Sequence, residues 1–159
     1  MKHEVTAADT ALENLLCFAI YATEHSFNQF YRTLLGDLGL TYPQYLVMTL
    51  LWDRDDRTVL ELGKALDLKS NTLTPLLKRL EASALLSRRR DRIDERQVRV
   101  RLTPAGKALK RKAAQVPACV TDALDMSPKE LKSAIDTVNK IRKRLKDATT
   151  TAENPAGSV

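Results

Sequence analysis

The chain of 159 residues predicts a mainly α fold with a small β-hairpin wing, a winged helix-turn-helix flanked by N- and C-terminal dimerisation helices. Three observations carry this. Between Thr58 and Leu80 two amphipathic stretches flank a tight turn, Asp67-Leu68-Lys69. A two-stranded pattern with an arginine-rich tip follows, up to Gly106. Third, positive charge gathers on this stretch: Lys78 to Lys112 holds thirteen Lys or Arg against four Asp or Glu, while the whole chain is only +6. Such a concentration is the electrostatic footprint of a phosphate-binding face, so the expected partner is duplex DNA.

In order along the chain, Thr10 and Glu13 form a capping-box pattern for a first helix reaching Leu34, with Leu16, Ile20, Thr23, Phe27, Phe30 and Leu34 on one stripe. Gly36 and Gly39 punctuate a turn. Thr41, with Pro43 in the first turn and Gln44 at N3, opens a helix through Trp52. Thr58 and Glu61 make a second capping box, over Val59, Leu62 and Leu66. Ser70 reads as the N-cap of the next helix, in which Leu73, Leu77 and Leu80 fall on the core side. Its other side offers Ser70, Asn71, Thr72, Thr74, Pro75, Lys78 and Arg79 as a recognition set: Asn71 and Arg79 suit base edges, Lys78 suits phosphate. Pro75 removes a backbone bond and should bend this helix.

The runs 85–89 and 98–102 read as strands, the second turning Val98, Val100 and Leu102 inward and Arg99 and Arg101 outward. Arg88, Arg89 and Arg90 are expected on phosphates, and Arg92 at the hairpin tip. Thr103-Pro104 caps a helix running towards Pro117, and Ser127-Pro128-Lys129-Glu130 repeats the device for a helix with Leu131, Ile135, Val138 and Leu145 on one side. The tail 148–159 lacks periodicity and is expected to be disordered. The expectation is one domain over 1–159, with dimerisation helices at 10–34 and 104–146 around a winged helix-turn-helix at 41–102. A dimer places two readers on a palindromic operator.

No apolar run approaches the ~20 residues of a membrane span, and no secretory signal opens the chain. Two cysteines 102 positions apart and two histidines make no metal cage, so no metal, cofactor or catalytic centre is expected. The expected compartment is a reducing cytoplasm, with free thiols.

The segments LKSNTLTPLLKRLE and DRIDERQVRVRLTPAG, with Asp94-Glu95-Arg96 followed by a strand and Leu102-Thr103-x-x-Gly106, resemble the MarR-type winged-helix regulators over roughly residues 10–146. LENLLCFAIY around Cys17 and TYPQYLVM from Thr41 resemble the organic-hydroperoxide-sensing branch, of two-cysteine type. The resemblance implies a homodimeric repressor that leaves its operator when Cys17 is oxidised by an organic hydroperoxide. It further implies that hydroxyls of Tyr31 and Tyr42, partly from the other subunit, support the Cys17 thiolate in a pocket that Phe18, Phe27 and Trp52 could line. Cys119 then resolves the oxidised sulfur as an intersubunit disulfide. Arg96 matches the family's minor-groove arginine, whose guanidinium Asp94 could steady. Two other functions fit less of the chain: a MarR-type regulator of a small aromatic ligand with a merely structural Cys17, and a thiol peroxidase, which would need an arginine–carboxylate frame around the cysteine.

Overall fold

Helix α1 (Leu16–Leu34) and helix α2 (Tyr42–Asp53) lead into a two-residue strand β1 (Arg57–Thr58), helix α3 (Val59–Leu66) and helix α4 (Ser70–Ala82). Strands β2 (Leu86–Arg90) and β3 (Val98–Leu102) follow, then helices α5 (Pro104–Ala113), α6 (Val116–Leu124) and α7 (Pro128–Glu153). This computed structural model describes residues 11–153. It divides into two compact units, one up to Val116 and one from Pro117.

In the first unit, β3 is the centre of an antiparallel sheet ordered β1-β3-β2, in which Arg57 pairs with Val100 and Arg89 with Arg99. Leu62, Leu73, Leu77 and Leu80 from α3 and α4 pack with Met48 and Leu51 of α2 and with Leu86 and Val100 of the sheet, all essentially inaccessible. The turn between α3 and α4 closes through Asp67 in the left-handed region, with the Leu68 N–H on the Gly63 carbonyl. The predicted strand at 85–89 lies one residue later, and β1 is too short to show a period in the sequence.

Capping boxes open α2 and α3. The Gln44 side chain accepts the Thr41 N–H at 2.8 Å, and Glu61 accepts the Thr58 N–H at 2.6 Å while Thr58 Oγ1 accepts from Glu61 N at 3.1 Å. The Thr58 amide and then the Arg54 guanidinium pull the Glu61 carboxyl down to about 2. A lowered carboxyl stabilises the fold above its unfolded value, and that contribution is lost as pH falls from about 4.5 to about 2. Glu61→Gln is therefore expected to lose ~0.5–1 kcal/mol at neutral pH, a modest figure because the group is solvent-screened. Denaturant titrations should find it less sensitive than wild type to acidification across that window. Equal sensitivity would remove Glu61 from the account.

Four helix boundaries differ from expectation. The first helix starts at Leu16: a 3-10 turn (Leu12–Asn14) precedes it, and Leu15 is extended with no side-chain cap. Thr10, half of the expected capping box, lies outside the described residues, as does the Glu13 side chain. In α4 the cap position is Lys69, whose carbonyl takes the N–H groups of Thr72 and Leu73, so Ser70 is the first helical residue instead of the cap. The helix after the wing stops at Ala113, and Pro117 falls in the first turn of α6, where its missing N–H costs nothing. Residues 148–153, expected to be disordered, continue α7: the Thr149, Thr150 and Thr151 hydroxyls donate to carbonyls four residues back. Nothing in that stretch breaks a helix, and the rest of the expected disordered tail lies outside the described residues.

The Leu102-Thr103-x-x-Gly106 motif is a docking joint. Thr103 Oγ1 donates to the Ala84 carbonyl at 2.6 Å and accepts the Gly106 N–H at 3.0 Å, while Trp52 Nε1 donates to the Gly106 carbonyl at 2.8 Å. Gly106 thereby lies against the backbone of Leu85, and a Cβ there would meet the Leu85 carbonyl oxygen at 2.0 Å.

Candidate DNA-reading face and thiol site

Helix α4 is amphipathic in the expected sense. Leu73, Leu77 and Leu80 are buried; Ser70, Asn71, Thr72, Pro75, Lys78 and Arg79 are exposed and Thr74 is half-buried. The helix runs unbroken through Pro75. Lys78 and Arg79 make no ion pair among the described residues and are free to meet an anion.

The wing sorts its arginines into two groups. Arg88, expected on a phosphate, is committed inside the fold: its N–H, Nε and Nη2 all donate to the Glu81 carboxylate of α4, at 2.8, 2.9 and 2.6 Å. Arg99 and Arg101 do face outward, but the Asp56 carboxylate bridges them, with 2.7 Å contacts to Arg99 Nε and Arg101 Nη2. Those two guanidiniums hold the Asp56 carboxyl down to about 2. Arg89, Arg90, Arg92 and Arg96 are exposed and without an ion pair among the described residues. Asp94 supports the tip differently from expectation. Its carboxylate accepts the backbone N–H of Arg96 and the side-chain amide of Gln97, both at 3.1 Å, and thus fixes the turn instead of a guanidinium. Nothing local in the sequence links Asp56 to arginines 43 and 45 positions away, so its role is visible only in the fold.

Cys17 is exposed in the first turn of α1, beside Leu16, Ile20 and Tyr21, which are 58%, 40% and 63% exposed. Tyr31 and Tyr42 are brought together. Their rings stack at 4.0 Å. Burial first, then the neighbouring phenols Tyr42 and Tyr45, push Tyr31 up to about 12; burial also raises Tyr42. Both phenols therefore stay neutral donors. Tyr42 also borders an apolar cavity of about 210 Å³ with Phe27, Asn28, Pro43, Leu46 and Leu66. Trp52, a suggested pocket residue, instead packs edge-on against Tyr45 and is tied to Gly106. Phe18 neighbours Tyr21. On the same helix α1, Cys17 and Tyr31 are fourteen residues apart, about 21 Å at ~1.5 Å per residue. Cys119 lies in the second unit, on α6, half-buried, and both cysteines are free thiols.

The model of the family described as "Transcriptional regulator SarA/Rot" matches residues 29–113. The organic hydroperoxide resistance transcriptional regulator of Bacillus subtilis is 44% identical over 130 residues, covering 80% of this chain and 88% of that protein. The chain is a MarR-type winged-helix transcriptional regulator of the SarA/Rot family. Members of this family are DNA-binding regulators, and the similarity to the Bacillus subtilis protein supports the organic-hydroperoxide-resistance branch. The regulator is also 45% identical over 149 residues to the HTH-type transcriptional regulator TtmR of Methylorubrum extorquens, covering 94% of this chain and 76% of TtmR. Among solved structures it is similar to AbfR of Staphylococcus epidermidis. Against reduced AbfR bound to DNA the TM-score is 0.71 at 36% identity, covering 84% of this chain and 93% of that one. Against disulfide-formed AbfR it is 0.59 at 38% identity, covering 82% and 91%. No helix among the regulator's described residues is long and apolar enough to cross a membrane.

Proposed function

We propose that this regulator is a homodimeric, redox-sensing repressor that leaves a palindromic operator when Cys17 is oxidised by an organic hydroperoxide. The observation that carries the reading is the thiol's position: Cys17 is exposed within an apolar patch at the start of α1, about 21 Å along that helix from the tyrosine pair on its own chain. The tyrosines of the same chain are out of reach, so the sensing pocket is completed by the Tyr31 and Tyr42 of a second copy. The exposed apolar residues of α1 in the first unit, and separately Ile135, Val138 and Leu145 on α7 in the second, each offer apolar surface to a partner. Helices within 10–34 and 104–146 are the dimerisation elements, on either side of the DNA module at 41–102.

In the pocket two neutral phenols donate to the sulfur and favour its charged form without adding charge. The apolar cavity beside Tyr42 suits the organic part of the peroxide. The Cys17 thiolate attacks the outer peroxide oxygen, the O–O bond breaks, and the departing alkoxide takes a proton to leave as an alcohol. Sulfur is oxidised by two electrons to sulfenic acid. The partner's Cys119 thiolate then attacks that sulfur, forming a disulfide and expelling hydroxide, which leaves as water. Cytoplasmic thiols reverse the bond. That AbfR has been captured both reduced on DNA and in a disulfide form supports a cysteine-driven cycle on this fold.

On DNA, the recognition set Ser70, Asn71, Thr72, Thr74, Pro75, Lys78 and Arg79 enters the major groove. Arg96 and Arg92 reach the minor groove from the wing, over the turn that Asp94 fixes.

A non-reducing gel after treatment with cumene hydroperoxide tests the pairing. Wild type is expected to run at twice the monomer mass and to release DNA. Cys119→Ser is expected to stay monomeric on the gel while Cys17 advances to sulfinic or sulfonic acid by mass spectrometry. Unlinked thiols in oxidised wild type would leave a one-cysteine sensor. A second reading rests on the same apolar cavity: a small aromatic ligand there would release DNA with both thiols intact, an outcome that mass measurement separates from oxidation.

A further inference from the structure

The wing tip presents an apolar side chain where a DNA-binding hairpin would be expected to present only charge. Ile93, between Arg92 and Asp94, is 98% exposed. Single exposed apolar residues are common and need no explanation by themselves. What sets this one apart is how firmly its backbone is held. Asp91 Oδ1 accepts the Ile93 N–H at 2.7 Å and the Asp94 N–H at 3.3 Å. Asp91 Oδ2 accepts Arg99 Nη1 at 3.1 Å, and Arg99 passes on to Asp56 through Nε at 2.7 Å and to the Asp56 carbonyl through Nη2 at 3.0 Å. Asp56 also takes Arg101 at 2.7 Å, and sits in the left-handed region at φ 60° to do so. A continuous chain of charge-assisted hydrogen bonds therefore runs from the loop after α2, along the outer face of β3, to the amide of Ile93 itself. The tip turn is closed a second time by Asp91 N–H on the Gln97 carbonyl and Gln97 N–H on the Asp94 carbonyl, both 2.9 Å.

We propose that Ile93 is an apolar wedge with which the wing packs against the sugar walls of the DNA minor groove. This rests on the reading above that the wing reaches that groove. The groove is narrow, its walls are deoxyribose C–H surface, and apolar side chains are used there to grip or open base steps. Arg92 and Arg96, exposed and unpaired among the described residues, flank the wedge and match the groove's negative potential. Because the network holds the tip in one conformation, burying Ile93 costs little ordering on binding. Asp56 and Asp91 act as positioning residues: they steer the tip and spend the charge of Arg99 and Arg101 on that task.

An apolar contact and a phosphate contact leave different signatures. Neutralising a phosphate releases counterions and steepens the dependence of affinity on salt, whereas burying a methyl group does not. The experiment measures binding of the full-length reduced protein to a palindromic duplex selected by wild type from a random pool, across a salt titration. Ile93→Ala is expected to weaken binding by about three- to tenfold with the log–log salt slope unchanged. Ile93→Leu should stay within about twofold of wild type. Arg96→Ala should weaken binding and reduce the slope by about one. An Ile93→Ala protein equal to wild type, or one whose loss comes with a lowered slope, overturns the wedge. If Arg96→Ala is also silent, the wing does not touch DNA and the wider reading of the wing fails with it.

Discussion

Replacing Cys17 with serine is expected to leave operator binding within about twofold of wild type and to abolish its release by organic hydroperoxide. Serine keeps the size and a hydrogen-bonding group, but its oxygen cannot accept the peroxide oxygen to form a sulfenic acid. Cys17 is exposed and no core packing depends on it, so fold and DNA face should persist. Fluorescence anisotropy of a labelled duplex, before and after cumene hydroperoxide, reads both halves of the claim. If the serine protein still leaves DNA on mild oxidation, the signal enters elsewhere, and Cys119 becomes the first suspect.

Gly106→Ala is expected to be the most damaging alanine substitution among the described glycines. The added Cβ would stand 2.0 Å from the Leu85 carbonyl oxygen, 3.0 Å from the Leu85 carbonyl carbon and 3.2 Å from Leu102 Cδ2. The obstacle is mostly backbone, held by Thr103, so relief requires α5 to move off the sheet and to break the Trp52 bond as well. Overpacking of this kind costs ~3 kcal/mol or more, a fall of roughly 6–12 °C in Tm for a chain of this size. Trp52 fluorescence should change too, since its indole N–H loses its partner. A melting point within about 2 °C of wild type would contradict the packing described.

What could be read from the sequence was local. The Thr41–Gln44 and Thr58–Glu61 pairs each span four residues, and their chemistry is complete within that span, so the helix start at the first and the capping box at the second are both legible, and both pairs form boxes. The leucine spacing of α4 and the alternation of β3 were legible for the same reason: period alone sorts their faces. The site was half legible. The exposure of the α4 residues proposed to read DNA follows from helix phase, while the resemblance singles out Tyr31 and Tyr42 without implying that their rings stack. The fate of each arginine did not follow. Arg88 binds Glu81 and Arg99 binds Asp56, pairings across 7 and 43 positions, and a basic run does not say which of its members the fold will use internally. The start of α1 and the end of α7 were misjudged because cap and disorder patterns are weak signals where no tertiary contact enforces them.

The grip of Glu81 on Arg88 has a consequence for the DNA itself. It joins the last turn of α4 to β2 through three hydrogen bonds, one of them to backbone. In the proposed binding mode, helix α4 and the wing then act as one reading head of constant span, and the separation between the base steps each would read is expected to be constant as well. Operators can tolerate substitutions at uncontacted steps. A single base pair inserted between the major-groove and minor-groove elements of a half-site should silence it, because the duplex would have to be retwisted to suit the protein.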